Sequence, residues 1–193
     1  TIVSVERFPF LRSHVLNGKA VVPAALMVEW MAHAAMHGHP GMAFNGLNDF
    51  AVFKGIILAE DESVSLSANV LTPKESAGGL VVPVQLVSSQ DGRTRIHARA
   101  QVLLGNSVIK ATGPRITDAG KPDGRTRAEI YQPEFLFHGT ELEGIEVLTE
   151  NDAKGISATI SAAPRPSSWI DDPLRQTWIT EPLMLDCCFQ MMI

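Results

Sequence analysis

The chain has 193 residues, 45% of them hydrophobic, and a formal net charge of −5 at neutral pH. A chain of this length and composition can bury the core of one large domain or of two small ones. The negative charge, with basic residues scattered along most of the chain, argues against a nucleic-acid-binding surface. We therefore expect a folded globular protein with no nucleic-acid partner.

The sequence predicts no membrane segment either. The longest apolar run, residues 20–36, is interrupted by Glu29 and His33 and is too short to span a bilayer. The two cysteines, Cys187 and Cys188, are adjacent, a spacing that makes a poor structural disulfide. Buried thiols in a reducing compartment are the simpler interpretation, and they predict a cytoplasmic protein.

The first predicted element is a helix over residues 23–37. Pro23 suits the first position of a helix, and Gly38 is a usual stop signal. Apolar residues lie on all sides of this helix, so we expect other structure to surround it. Sequence features of a different kind follow from Asp49 onwards.

Residues 49–112 have the pattern of short antiparallel strands. The segment ESVSLSANVL alternates small polar and apolar residues, and the runs LVVPVQLV and RIHARAQVLL flank Asp91-Gly92, a strong signal for a two-residue hairpin. A buried helix followed by an antiparallel meander predicts an α+β fold in which the sheet wraps the helix.

The same plan then begins a second time. LEGIEVLTE and KGISATIS predict a strand pair across Asn151-Asp152, and EPLMLDCCFQMMI predicts a second apolar helix that begins near Pro182. A stretch rich in glycine, proline and charge separates the two units. We predict an N-terminal unit over residues 1–115, a linker over 116–128 and a C-terminal unit over 129–193. By comparison with the first unit, we expect the second to lack its last strands.

Two short motifs bring polar groups to the two apolar helices. His14, Gly18 and Pro23 form H-x-x-x-G-x-x-x-x-P just before the first helix, and Asp186 and Gln190 form D-x-x-x-Q inside the second. Residues at i and i+4 share a helix face, so Gln190 can hold the Asp186 carboxyl by a hydrogen bond. A surface or capping aspartate and an unimportant loop histidine are the alternatives. The functional interpretation is an acid whose pKa is raised by apolar burial.

These motifs resemble those of the dehydratase domains of polyketide synthases and of the related polyunsaturated fatty acid synthases. HVLNGKAVVP is similar to the catalytic histidine motif of that family, and LDCCFQ to its Asp-x-x-x-Gln/His motif. FLFHGTELEGI is similar to the family segment that ends in Tyr-Gly-Pro-x-Phe, but His138 stands before Gly139 where the family has tyrosine. The resemblance implies a double hotdog, in which two antiparallel sheets each wrap a buried helix. The second hotdog is expected to be incomplete, because the later Leu-Pro-Phe-x-Trp motif is absent.

The resemblance also implies roles for individual residues. Neutral His14 would act as general base and protonated Asp186 as general acid. The free N–H groups at the start of the first helix would stabilise a developing oxyanion. The substrate-binding and supporting residues would be Gly18, Pro23, Ala24, Ala25, His138, Gly139 and Gln190.

The implied reaction is dehydration of a β-hydroxyacyl thioester to an enoyl thioester in polyketide or fatty acid biosynthesis. The substrate would be carried on the phosphopantetheine of an acyl carrier protein, and neither a dissociable cofactor nor a metal is expected. The implied partners are that carrier protein, the other domains of a multidomain synthase and a second copy in a homodimer. An enoyl isomerase, a cyclase similar to product template domains, and a non-catalytic acyl-binding or dimerisation module are the alternatives.

Overall fold

The computed structural model describes residues 1–90, 92–109, 120–132, 134–153 and 155–193. The strands are β1 (Ile2–Ser4), β2 (Val15–Leu16), β3 (Lys19–Val21), β4 (Ala43–Val52), β5 (Ile57–Leu58), β6 (Ser63–Val70), β7 (Lys74–Ser76), β8 (Gly79–Gln90), β9 (Arg93–Gly105), β10 (Ile145–Asp152) and β11 (Gly155–Ile160). The helices are α1 (Ala24–Gly38), α2 (Arg127–Ile130), α3 (Pro166–Trp169) and α4 (Pro182–Gln190), and short 3-10 turns lie at Pro9–Ser13 and Thr140–Leu142.

One large antiparallel sheet wraps α1. Its strand order is β1-β6-β8-β9-β4, with β7 paired to β8, and α1 packs against β4, β6, β8 and β9. Alternate residues of the long strands are buried against the helix, which is the period of two that a sheet with one covered face requires. The buried residues of β8 and β9 include Val82, Val84, Leu86, Ala98, Ala100, Val102 and Leu104. The predicted α+β arrangement of a helix within a sheet is confirmed.

The pairing of β8 with β9 follows the predicted hairpin. Gln90 lies opposite Arg93, so two residues join the strands, and Gly92 has a φ of 71°. Asp91, the other turn residue, lies outside the described residues. A positive φ is readily adopted by glycine, which explains its place in this turn.

The second unit contains the antiparallel pair β10–β11 and the helix α4. Asn151 lies opposite Ile156 and Asp152 opposite Gly155, so the predicted turn at Asn151-Asp152 is wrong and the chain turns after Asp152. The predicted linker over 116–128 is only partly described. Residues 120–126 run beside β10 and pair with it at two isolated bridges, so this part belongs to the second unit.

The two helices differ in burial. All eight residues of α1 from Ala25 to Ala32 are buried, as predicted for a helix inside a sheet. In α4 one face is buried, while Met184 is 50% exposed and Cys188 is also exposed. The second helix of the predicted double hotdog is therefore present, and within the described chain it is buried on one face only. Among the described residues, no helix is long and apolar enough to cross a membrane.

A buried carboxylate joins α1 to the segment that precedes α4. Glu29, on α1, is 5% exposed. It accepts hydrogen bonds from the backbone N–H groups of Ile179 and Thr180, each at 2.8 Å, and from the Thr180 hydroxyl at 2.7 Å. Three donors offset part of the cost of burying this group. Glu29 therefore fixes the start of α4 relative to α1.

We predict that Glu29→Ala destabilises the protein by roughly 2–4 kcal/mol, because three donors lose a buried acceptor. Glu29→Gln should cost less, since its side-chain oxygen still accepts. The free energy of unfolding in urea measures both effects, with the exposed Glu6 replaced by alanine as the matched control. Equal stability of the Glu29→Ala and Glu6→Ala proteins would contradict this role.

Candidate active site

His14 is held by a small hairpin. It follows the 3-10 turn Pro9–Ser13 and begins the β2–β3 pair, whose turn residues Asn17 and Gly18 have φ values of 51° and 75°. This hairpin returns Val21 to the side of His14, and the Val21 N–H donates to the His14 carbonyl at 2.9 Å. Gly18 itself is exposed, so it contributes to the turn and does not contact the buried side chains of His138 and Asp186.

The hairpin also fixes the tautomer of the His14 ring. Nδ1 of His14 lies 2.6 Å from the carbonyl oxygen of Val21. A carbonyl only accepts hydrogen bonds, so Nδ1 carries the proton and donates it. Nε2 then carries the lone pair. The ring is thus held with a basic nitrogen available to a second group.

Helix α1 begins three residues after Val21. Pro23 has a φ of −58° and precedes the first helical residue, and its carbonyl accepts hydrogen bonds from the N–H groups of Leu26 and Met27. The N–H groups of Ala24 and Ala25 are the first-turn donors that this carbonyl does not satisfy. They lie at the positive end of the helix dipole, where an oxyanion is stabilised.

Asp186 projects from the buried face of α4 and is 4% exposed. The Gln190 amide donates to its Oδ2 at 2.8 Å and to the Leu142 carbonyl at 3.0 Å. The Tyr131 hydroxyl donates to Oε1 of Gln190 at 2.6 Å and accepts from the Ile145 N–H at 3.0 Å. The expected i, i+4 contact between Asp186 and Gln190 is present. Tyr131, which holds Gln190 from the other side, is a supporting residue that the sequence did not predict.

His138 comes from the segment between α2 and β10. Its backbone forms an isolated antiparallel bridge with His14, and the Gly139 N–H donates to the Ser13 carbonyl at 2.8 Å. A Cβ at Gly139 would lie 3.0 Å from Oγ and 3.1 Å from Cα of Ser13. Gly139 therefore permits the close approach that brings the two histidines together.

Three ionisable side chains meet at the junction of the two units. One polar atom from each of His14, His138 and Asp186 lies within 4.8 Å of the other two. The His14 and His138 ring centroids are 5.2 Å apart, and Nε2 of His138 is 3.7 Å from Oδ2 of Asp186. Imidazole and carboxylate are also ligand types that zinc accepts. The sequence predicts no metal here, and the proton transfers considered below require none.

Burial controls the charge of all three groups. Burial lowers the pKa of His14, and the Val21 carbonyl and Asp186 oppose this effect only in part. Burial raises the pKa of Asp186, against the opposing effects of the Gln190 amide and of His14. Burial and the neighbouring His14 lower the pKa of His138 to about 4. The contact between His138 and Asp186 has the separation of an ion pair, but these directions favour a neutral imidazole beside a protonated acid.

This arrangement places the lone pair on Nε2 of His14 near the acidic proton of Asp186 in buried surroundings. Such a pair is suited to removing a proton from one atom and adding a proton to the neighbouring atom. The thiol of Cys187 is not a competing nucleophile, because burial raises its pKa to about 12. His33 and His37 stack on each other on α1 and are not part of this three-residue cluster.

Comparison with known proteins agrees with the motifs. A family model for the polyketide synthase dehydratase domain matches residues 1–97, half of the chain. The chain belongs to this family. One curated relative is a polyunsaturated fatty acid synthase chain of Thraustochytrium sp. (strain ATCC 26185 / S-3), which is 24% identical over 193 residues. The alignment covers 99% of this chain and 7% of the relative, so the relative is a far larger protein.

Solved dehydratase domains share the fold. The domain from the CurF module of the curacin polyketide synthase has a TM-score of 0.71 at 15% identity, covering 99% of this chain and 68% of its own. The domain from the CurK module has a TM-score of 0.71 at 16% identity, covering 98% of this chain and 66% of its own. The chain thus spans about two thirds of these dehydratase domains, and the hotdog fold predicted from the sequence is confirmed.

We predict that Gly139→Ala disturbs the junction, because the new methyl group meets backbone and side-chain atoms of Ser13. The expected loss is roughly 1–3 kcal/mol of unfolding free energy, with shifted NMR signals of the His14 and His138 rings. Gly155→Ala is the matched control, since nothing lies within 4 Å of a Cβ there. Unchanged ring signals in the Gly139→Ala protein would show that the close approach is not needed.

Proposed function

We propose that this chain dehydrates a β-hydroxyacyl thioester carried on the phosphopantetheine of an acyl carrier protein. The observation that carries the proposal is the separation of at most 4.8 Å between polar atoms of His14 and Asp186, with burial favouring a neutral base and a protonated acid. Membership of the dehydratase domain family supports the same reaction class, a hydro-lyase. The product is the enoyl thioester.

The first step is removal of the α-proton. The thioester carbonyl acidifies that C–H bond, and Nε2 of His14 has the lone pair to accept the proton because Nδ1 is engaged by Val21. Negative charge then develops on the thioester oxygen. The N–H groups of Ala24 and Ala25 at the start of α1 are the donors suited to this oxygen.

The second step is departure of the β-hydroxyl. Protonated Asp186 gives its proton to the hydroxyl oxygen, and the C–O bond breaks to release water as the double bond forms. Without this proton the leaving group would be hydroxide, which leaves poorly. The amide of Gln190 orients the acid through its 2.8 Å hydrogen bond to Oδ2. Base and acid therefore act on adjacent carbons of one substrate.

Solved relatives offer separate support. CurK dehydratase structures with an aspartate replaced by asparagine, or with a histidine replaced by phenylalanine, are named inactive mutants. These relatives are 16% and 17% identical to this chain. Their loss of activity is what a histidine base and an aspartic acid would produce, and the same two residue types meet here at His14 and Asp186.

Double-bond isomerisation is a second candidate. The GphF dehydratase domain, solved as an isomerase-inactive variant, has a TM-score of 0.64 and 18% identity to this chain. An isomerase moves a proton between carbons and releases no water, so it needs the same base but a different substrate. The acyl carrier protein, the neighbouring synthase domains and the homodimer remain predictions for either reaction.

We expect His14→Ala and Asp186→Asn each to lower the rate of dehydration by roughly 10²- to 10⁴-fold, because each removes one proton-transfer group. The assay incubates the full-length protein with a β-hydroxyacyl carrier protein and follows the loss of one water by intact mass spectrometry. His37→Ala and Asp61→Asn, both at exposed positions, are the matched controls. In a parallel assay, a shift of the double bond of an enoyl carrier protein at unchanged mass would favour the isomerase. Normal turnover by either variant would exclude that residue as base or acid.

The rate should depend on pH with two limbs. Activity needs His14 neutral, so it falls as the pH drops through the pKa of His14, which burial moves below the ordinary 6.5. Activity also needs Asp186 protonated, so it falls as the pH rises through the pKa of Asp186, which burial moves above the ordinary 3.8. The Gln190 hydrogen bond favours the carboxylate and lowers that pKa, so Gln190→Leu should move the alkaline limb to higher pH.

The pH dependence of kcat/KM measures both limbs in the free protein. Glu6→Ala serves as a control with an unchanged profile, because Glu6 is exposed and outside the cluster. A downward shift of the alkaline limb in Gln190→Leu would mean that the limb does not report the acid.

A further inference from the structure

One elimination leaves the site in the wrong protonation state for the next. His14 has gained the α-proton and is an imidazolium, while Asp186 has given its proton to the departing hydroxyl and is a carboxylate. The water that leaves contains the hydroxyl and the Asp186 proton, so the α-proton is still on His14. A proton must therefore move from His14 to Asp186 before a second substrate can react.

We propose that His138 relays this proton from His14 to Asp186 and so resets the site after each turnover. This inference rests on the proposed dehydration and adds a third proton-transfer group to it. It also gives a function to the histidine that stands where the sequence resemblance led us to expect a tyrosine.

The position of His138 is the first argument. One polar atom of each of the three residues lies within 4.8 Å of the other two, and Nε2 of His138 is 3.7 Å from Oδ2 of Asp186. The antiparallel backbone bridge between His14 and His138 fixes the two rings near each other. Phe137 stacks on His138, with 4.1 Å between the ring centroids, and also lies 5.1 Å from the His14 ring.

The unused nitrogen of His138 is the second argument. The side chain is 3% exposed, and its Nδ1 has no hydrogen-bond partner among the described residues. A buried polar atom without a partner is costly and needs an explanation. In the resting protein, Nε2 of His138 is also about 1 Å too far from the carboxyl for a short hydrogen bond. Nε2 is therefore free to take up and release a proton while Nδ1 keeps the other one.

The relay balances as two proton transfers. Nε2 of His138 carries the lone pair and accepts the proton from Nε2 of His14, which makes His138 an imidazolium with a proton on each nitrogen. The same proton then moves from Nε2 of His138 to Oδ2 of Asp186, so the ring returns to its starting tautomer. All three groups are neutral again, no electrons are exchanged, and no further reactant is consumed.

The electrostatics of the buried site favour this direction. Burial and His14 lower the pKa of His138 to about 4, so the ring holds a proton only briefly. The raised pKa of Asp186 makes its carboxylate a good acceptor. During the relay a cationic ring faces an anionic carboxylate in surroundings of low dielectric constant, and their attraction shortens the 3.7 Å separation found between the neutral groups.

Comparing the first turnover with later turnovers tests the relay. In the full-length His138→Phe protein, which keeps the ring stacked on Phe137 but carries no proton, we expect a first turnover close to the wild-type rate. Later turnovers should be slower by roughly 100-fold, the size of a lost proton transfer. Rapid-quench kinetics with excess substrate would then show a burst of one enoyl product per site. Free imidazole should restore steady turnover to His138→Ala, and His37→Ala should show no burst.

The possible results separate the two proposals. A His138→Phe protein that turns over at the wild-type rate would overturn the relay, because another route then resets the site. Equal slowing of the first and later turnovers would also overturn it and assign His138 to the elimination or to its geometry. If His138→Phe does not fold, His138→Gln takes its place with the same expected burst. Absence of dehydration by the wild-type protein would instead overturn the proposed function itself.

Discussion

Burial of the Asp186 carboxyl is the constraint on which the rest of the site depends. An acid that is to hold its proton near neutral pH must lie where its carboxylate is poorly solvated, and the junction between the two units provides this. The same burial holds His14 neutral. Two supports fix the helix that carries the acid: Gln190 with Tyr131 behind it, and Glu29, which binds the backbone just ahead of α4. Both supports consist of polar contacts made by buried side chains.

Much of the fold could be predicted because it follows from local signals. Pro23 and Gly38 mark the ends of α1 to within one residue, and the alternating pattern of the strands gives the large sheet. The two helix-associated motifs also identify His14 and Asp186 before any geometry is known. These features depend on residues close together in sequence, where backbone preferences and side-chain spacing act directly.

The features that could not be predicted from the sequence depend on contacts between distant segments. Tyr131 supports Gln190 from a different segment, and no spacing rule connects them. In the sequence, Glu29 only interrupts an apolar helix. The backbone donors that it binds lie some 150 positions later in the chain, so no local pattern predicts them. The described part of the predicted linker, residues 120–126, pairs with β10 for a related reason. Glycine and proline mark a turn-rich composition, but they do not prevent residues 120–126 from bonding to the edge of β10.

Because the two units that form the site belong to one chain, two variant copies with different substitutions cannot restore a site in each other. His14 comes from the first unit and Asp186 from the second, and they meet within a single chain. In an assembly of two copies, one with His14 replaced and the other with Asp186 replaced, neither junction would contain both groups. Genetic complementation between such alleles is therefore not expected, unlike in proteins whose sites are shared between neighbouring chains. Under the proposed function, each copy needs its own intact pair.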